Sequence, residues 1–127
     1  VQDTPYDLLG GEAGVRRLAD AFYSAMDDLT STADVRRMHG ENLDSIKQKL
    51  FEYLSGWLGG PPLYAQKNGT VCLTDPHAPY SIGSKERDQW LACMDEALTR
   101  VGASADLKQM LKEPFFAVAD IVRNQPA

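Results

Sequence analysis

Histidine and cysteine are scarce: two of each occur in 127 residues, His39 and His77, Cys72 and Cys93. Without a Cys-x-x-Cys pair the cysteines cannot build a disulfide framework for a chain of this size, and two reduced thiols in the cytoplasm are expected. A tetrahedral zinc site would need further ligands at close spacing, and only the two histidines are on hand. Basic residues are also in deficit, 13 Lys and Arg against 18 Asp and Glu, for a net charge of -5. Arg16-Arg17 and Arg36-Arg37 are isolated pairs on solvated helix faces, so a nucleic-acid partner is not expected. No apolar run approaches bilayer-spanning length, and Val1-Gln2-Asp3-Thr4-Pro5 has no charged start leading into an apolar stretch. Neither a membrane partner nor a secretory leader is expected.

What the chain does have is 43% hydrophobic and 24% charged residues, enough for one core and a single domain over residues 1–127. Val15, Leu18, Phe22, Met26 and Leu29 recur every three or four residues and predict a helix over residues 12–28, with Tyr23 beside its buried stripe. Ahead of it, Tyr6-Asp7-Leu8-Leu9 allows only a short helical turn, stopped by Gly10-Gly11. Ser31 or Thr32 is placed to cap a short helix reaching Met38 and ended by Gly40. Leu43, Ile46, Leu50, Leu54 and Trp57 predict a long helix over residues 42–58, stopped by Gly59-Gly60-Pro61-Pro62. Asn68-Gly69 is a tight-turn signal ahead of the extended-favouring Thr70-Val71-Cys72, so a small hairpin fits within residues 63–76. Ser84 is expected to cap a helix over residues 84–101, apolar at Trp90, Leu91, Met94, Ala97 and Leu98. A last helix begins near Ser104, and Pro114 is expected to kink or restart it before Phe115-Phe116. The pattern predicts a small all-α domain.

His77 lies in His77-Ala78-Pro79-Tyr80-Ser81-Ile82-Gly83. Pro79 cannot continue a helix beyond its first turn, so the imidazole stands at the end of a short element. A neutral imidazole nitrogen is a good metal ligand, although a loop histidine taken alone is more often a partly exposed polar residue. Asp27-Asp28 are helix neighbours that do not face each other, so no catalytic carboxylate pair is assigned.

Several segments together resemble the truncated haemoglobins, and within them the second group: Tyr6-Asp7-Leu8-Leu9-Gly10-Gly11-Glu12, Phe22-Tyr23, Leu54-Ser55-Gly56-Trp57-Leu58-Gly59-Gly60-Pro61-Pro62-Leu63-Tyr64, and His77 through Met94. The resemblance implies a two-over-two helical sandwich around one haem b, noncovalent because the chain has no Cys-x-x-Cys-His. It implies that His77 is the proximal iron ligand. Tyr23 matches the distal tyrosine, whose phenol can donate a hydrogen bond to a bound ligand. Trp90 matches the tryptophan of the second group, whose indole nitrogen can only donate. His39 matches a variable distal position, and Ile46 and Leu50 match the apolar residues that close the pocket. Lys49 and Tyr64 fall at the propionate edge, while Leu50, Tyr53, Leu54, Tyr80, Ile82 and Met94 fall at haem-contacting or core positions. The family often has basic residues just before the proximal histidine, where this chain has Thr74, Asp75 and Pro76. A carboxylate there repels a propionate, so looser haem retention is expected.

The activity implied is reversible binding of O2, NO and CO at a five-coordinate iron. An enzymatic alternative is NO oxidation or reduction of peroxide or peroxynitrite, which needs an external reductase because the chain carries no flavin motif. A third arrangement has Tyr23 or His39 coordinating the iron, and a cofactor-free helical interaction module is the alternative from another class. The oligomeric expectation is a monomer or homodimer.

Overall fold

The computed structural model describes residues 4–39, 42–69 and 81–124. All regular elements among them are helical: α1 (Pro5–Leu8), α2 (Gly11–Asp28), a 3-10 turn (Thr30–Thr32), α3 (Ala33–Arg37), α4 (Asp44–Trp57), α5 (Leu63–Asn68), α6 (Ser84–Arg100) and α7 (Ala105–Ile121). Among the described residues no helix is long and apolar enough to cross a membrane.

A capping box starts α1. The Thr4 hydroxyl accepts from the Asp7 N–H, and the Asp7 carboxylate accepts from the Thr4 N–H, each at 3.2 Å, with Pro5 at the first helical position. The Tyr6 N–H then donates to the Leu58 carbonyl at 3.0 Å, tying this turn to the end of α4. The approach of α1 to α2 depends on Gly14, where a Cβ would lie 1.7 Å from the Leu9 carbonyl oxygen.

The long helices form two packed pairs, α2 against α4 and α6 against α7, joined by the contact of α2 with α6. Their buried stripes meet in one core: Val15, Leu18, Phe22 and Met26 from α2, Phe51 and Leu54 from α4, Cys93, Met94 and Leu98 from α6, Leu107, Leu111 and Phe115 from α7. Burying each large apolar side chain contributes about 1.5–3 kcal/mol. Polar contacts fix the seams. Arg16 of α2 lies over the Phe51 ring at 4.0 Å and donates to Gln48 of α4 at 3.2 Å. Arg87 of α6 bonds Asp120 of α7 at 2.9 Å and lies over the Phe116 ring at 4.7 Å.

Four details depart from the sequence reading. Residues 63–68 are helical, so Asn68-Gly69 ends α5 rather than turning a hairpin, with Gly69 at φ 75° as its left-handed cap. Residues 70–80 lie outside the described residues. Ser84 is the first residue of α6 rather than its cap; Gly83 is the cap, and its N–H donates to the Glu86 carboxylate at 2.8 Å. Thr32 flanks α3 but does not cap it, because its buried hydroxyl donates to the Met26 and Leu29 carbonyls, both at 3.0 Å. Pro114 sits inside α7, which runs through it without a restart.

Candidate functional site

Tyr23 is 4% exposed, and its neighbours are aromatic. The Phe22 ring meets it edge-on at 4.9 Å, and the His39 ring meets it edge-on at 5.6 Å. Phe22 also packs at 5.2 Å against Trp90, so one phenylalanine separates the phenol from the indole. The helix period explains the set: Phe22 and Tyr23 are consecutive on the buried side of α2, Trp90 arrives from α6, and His39 follows α3. Trp90 continues into a second aromatic group, 6.0 Å from Phe115, which stacks on Trp57 at 4.5 Å.

The hydrogen-bonding state of this cluster determines its chemistry. Neither the Tyr23 hydroxyl nor the Trp90 indole N–H bonds to another described residue. Burial, with the nearby Cys93 thiol adding, pushes the phenol well above its usual range, so Tyr23 keeps its proton and remains a donor. Burial likewise raises the Cys93 thiol, which stays an unreactive core group. His39 is oriented by its backbone contact: Nδ1 lies 2.9 Å from the Val35 carbonyl. A carbonyl only accepts, so Nδ1 carries the hydrogen of this contact.

Ile46, Leu50, Tyr53 and Trp57 make α4 apolar on a face that packs on the core yet stays half-buried. Tyr53 and Tyr64 meet edge-to-face at 6.0 Å and line a cleft of about 220 Å³ with Trp57, Pro62 and Ala65. That volume alone is below the roughly 300–1,000 Å³ of small-molecule sites, so the cleft is at most one edge of a larger seat. Leu54 and Met94 are fully buried at 1%, and Ile82 is buried with its N–H bonded to Asn124 at 2.9 Å. Lys49 is exposed and makes no ion pair among the described residues. His77 and Tyr80 lie outside the described residues. Two donors without described partners beside an incompletely covered apolar face fit a flat apolar cofactor carrying a polar ligand.

Sequence reasoning missed Phe22 as the spacer between the two donors, since it reads only as one more core position. It also missed Glu52, 6% exposed, whose Oε2 accepts from Gln48 at 3.0 Å and Lys67 at 3.3 Å while Oε1 has no partner. Gln48's hydrogen bond is the largest cause holding this carboxyl below the usual range, with Lys67 adding and burial opposing.

Comparison with known proteins gives the same fold and identifies the family. The family description of bacterial-like globins matches residues 4–124. The cold-adapted truncated haemoglobin of Pseudoalteromonas haloplanktis TAC125 superposes with a TM-score of 0.91 at 41% identity, over 97% of this chain and 99% of that one. The group II two-on-two haemoglobin of Agrobacterium tumefaciens gives 0.91 at 37% identity, over 98% and 96%. The group 2 truncated haemoglobin YjbI of Bacillus subtilis is 30% identical over 109 residues, 86% of this chain and 80% of its own length. A family match over nearly the whole chain, joined to two packed pairs of long helices, places the molecule: it belongs to the bacterial-like globins, haem proteins that bind diatomic gases, as a truncated haemoglobin of the second group.

Proposed function

We propose that the chain binds O2, and with it NO and CO, reversibly at one haem b held by His77, with Tyr23 and Trp90 as the hydrogen-bond donors to the ligand. The observation that carries this reading is the pair of donors without described partners, one on each side of Phe22. When bound, the haem would supply an iron that His77 would hold and that can take up a diatomic gas. The residues of the chain do the rest. Tyr23, protonated across the physiological range, donates its hydroxyl hydrogen to the polar end of the ligand, and the Trp90 indole N–H supplies a second donor. Ile46 and Leu50 close the same space with apolar surface, which limits water and strengthens each bond. Lys49 and Tyr64 hold the propionate edge.

Spectra of the haem-loaded protein test the reading. The ferrous form is expected to be five-coordinate and high-spin, to take up O2 and CO, and to release O2 when CO is in excess. A ferrous protein that is fully six-coordinate and inert to CO contradicts it.

A further inference from the structure

α3 lacks a side-chain cap of its own, because the Thr32 hydroxyl is turned back to carbonyls at the end of α2. The first N–H groups of a helix have no partner within it, and α3 obtains one from another helix. Gln89, which precedes Trp90 on α6, uses both ends of its carboxamide. Its Oε1 accepts from the Val35 N–H at 3.1 Å, and its Nε2 donates to Asp34 Oδ2 at 2.9 Å. Asp34 is further gripped by Lys85 at 3.2 Å and by Arg37. Val35 is also the residue whose carbonyl receives Nδ1–H of His39. One side chain therefore holds, from the position next to Trp90, the residue that sets the tautomer of the ring beside Tyr23.

We infer that Gln89 is a positioning residue of the distal pocket: its carboxamide fastens α3 to α6, keeps Nδ1–H of His39 on the Val35 carbonyl, and so fixes the distance between His39, Tyr23 and Trp90 on which ligand release depends. The effect on ligand release rests on the haem reading above; the effect on the tautomer does not. A glutamine suits the place because Val35 offers a donor and Asp34 an acceptor, and the carboxamide answers each with a separate atom. Glutamate would set a second carboxylate against Asp34, and methionine would fill the space without either bond.

Three variants test this in the haem-loaded protein. Gln89→Met removes both bonds at similar volume, Gln89→Glu keeps one and opposes the other, and Asp34→Asn with Gln89→Glu exchanges donor and acceptor and restores the pair. The readouts are the nitrogen resonances of the His39 ring, the infrared C–O stretch of the CO complex, and the O2 dissociation rate. The unsubstituted protein is expected to show one tautomer and one stretching band. Gln89→Met and Gln89→Glu are expected to mix tautomers, add a second band and change the dissociation rate by about threefold or more. The double variant is expected to return all three to the original values, and in a His39→Phe background Gln89→Met is expected to leave the rate unchanged. A Gln89→Met protein that melts earlier but keeps its tautomer, band and rate overturns the inference, as does an equal rate change without His39. Failure of the unsubstituted protein to bind CO would overturn the haem reading instead, and the His39 tautomer in that sample still decides the role of Gln89.

Discussion

Replacing Tyr23 by phenylalanine separates ligand chemistry from folding more cleanly than most substitutions in a core. The ring is 4% exposed and packed by Phe22 and His39, and phenylalanine keeps that packing. The hydroxyl gives up no bond to a described residue, so its loss leaves no described donor or acceptor orphaned. Stability is thus expected to change little, within about 1 kcal/mol, because neither packing nor a hydrogen bond to a described residue is lost. Ligand release behaves differently. One hydrogen bond contributes about 0.5–1.5 kcal/mol, so Tyr23→Phe is expected to speed O2 dissociation about 2- to 13-fold. Trp90→Phe should act in the same range, and the double variant about 5- to 160-fold if the two donors act independently across Phe22. Stopped-flow displacement of O2 by CO, paired with thermal melts of the same samples, measures both quantities. Unchanged dissociation with a lowered melting temperature would refute the reasoning, because it would make Tyr23 a packing residue only.

Gly14→Ala is expected to destabilise the fold by about 1–3 kcal/mol or more, because the added Cβ meets the Leu9 carbonyl at 1.7 Å; denaturant unfolding checks it. Glu52 has a lowered carboxyl pKa, so its stabilisation is complete above the ordinary carboxylate range, about pH 4.3, and fades as the pH falls through the folded-state value. Melting temperature against pH is therefore expected to fall less steeply on the acid side in Glu52→Gln, and parallel curves would contradict the assignment. Asp75→Arg exchanges a repelling charge for an attracting one at the expected propionate edge. It should slow haem transfer to apomyoglobin about 1.4- to 5-fold, the worth of an exposed ion pair.

The long helices were legible because burial on one face writes a period into the chain. Val15, Leu18, Phe22 and Met26 are buried as their spacing predicts, as are Leu54, Met94 and Leu98. Local signals with two meanings were less informative. Asn68-Gly69 serves a hairpin or a helix end equally well, since both need a residue with positive φ, and here Gly69 supplies it to α5. Gly83 caps α6 through an N–H that Glu86 receives, a role that a glycine does not advertise. Pro114 costs α7 a bond to the Met110 carbonyl on the solvent side, where Met110 is 54% exposed and water can replace it. Tyr23 and Trp90 were singled out through resemblance, but the Gln89 bridge was not. It joins residues more than 50 positions apart, and no local period records such a contact.

His77→Ala, studied by optical spectroscopy of the haem-loaded protein, addresses the central claim most directly. The account predicts loss of the five-coordinate ferrous spectrum, rapid loss of haem, and recovery of both when free imidazole is added. An unchanged Soret band, with CO binding and haem retention equal to those of the unsubstituted protein, would contradict it.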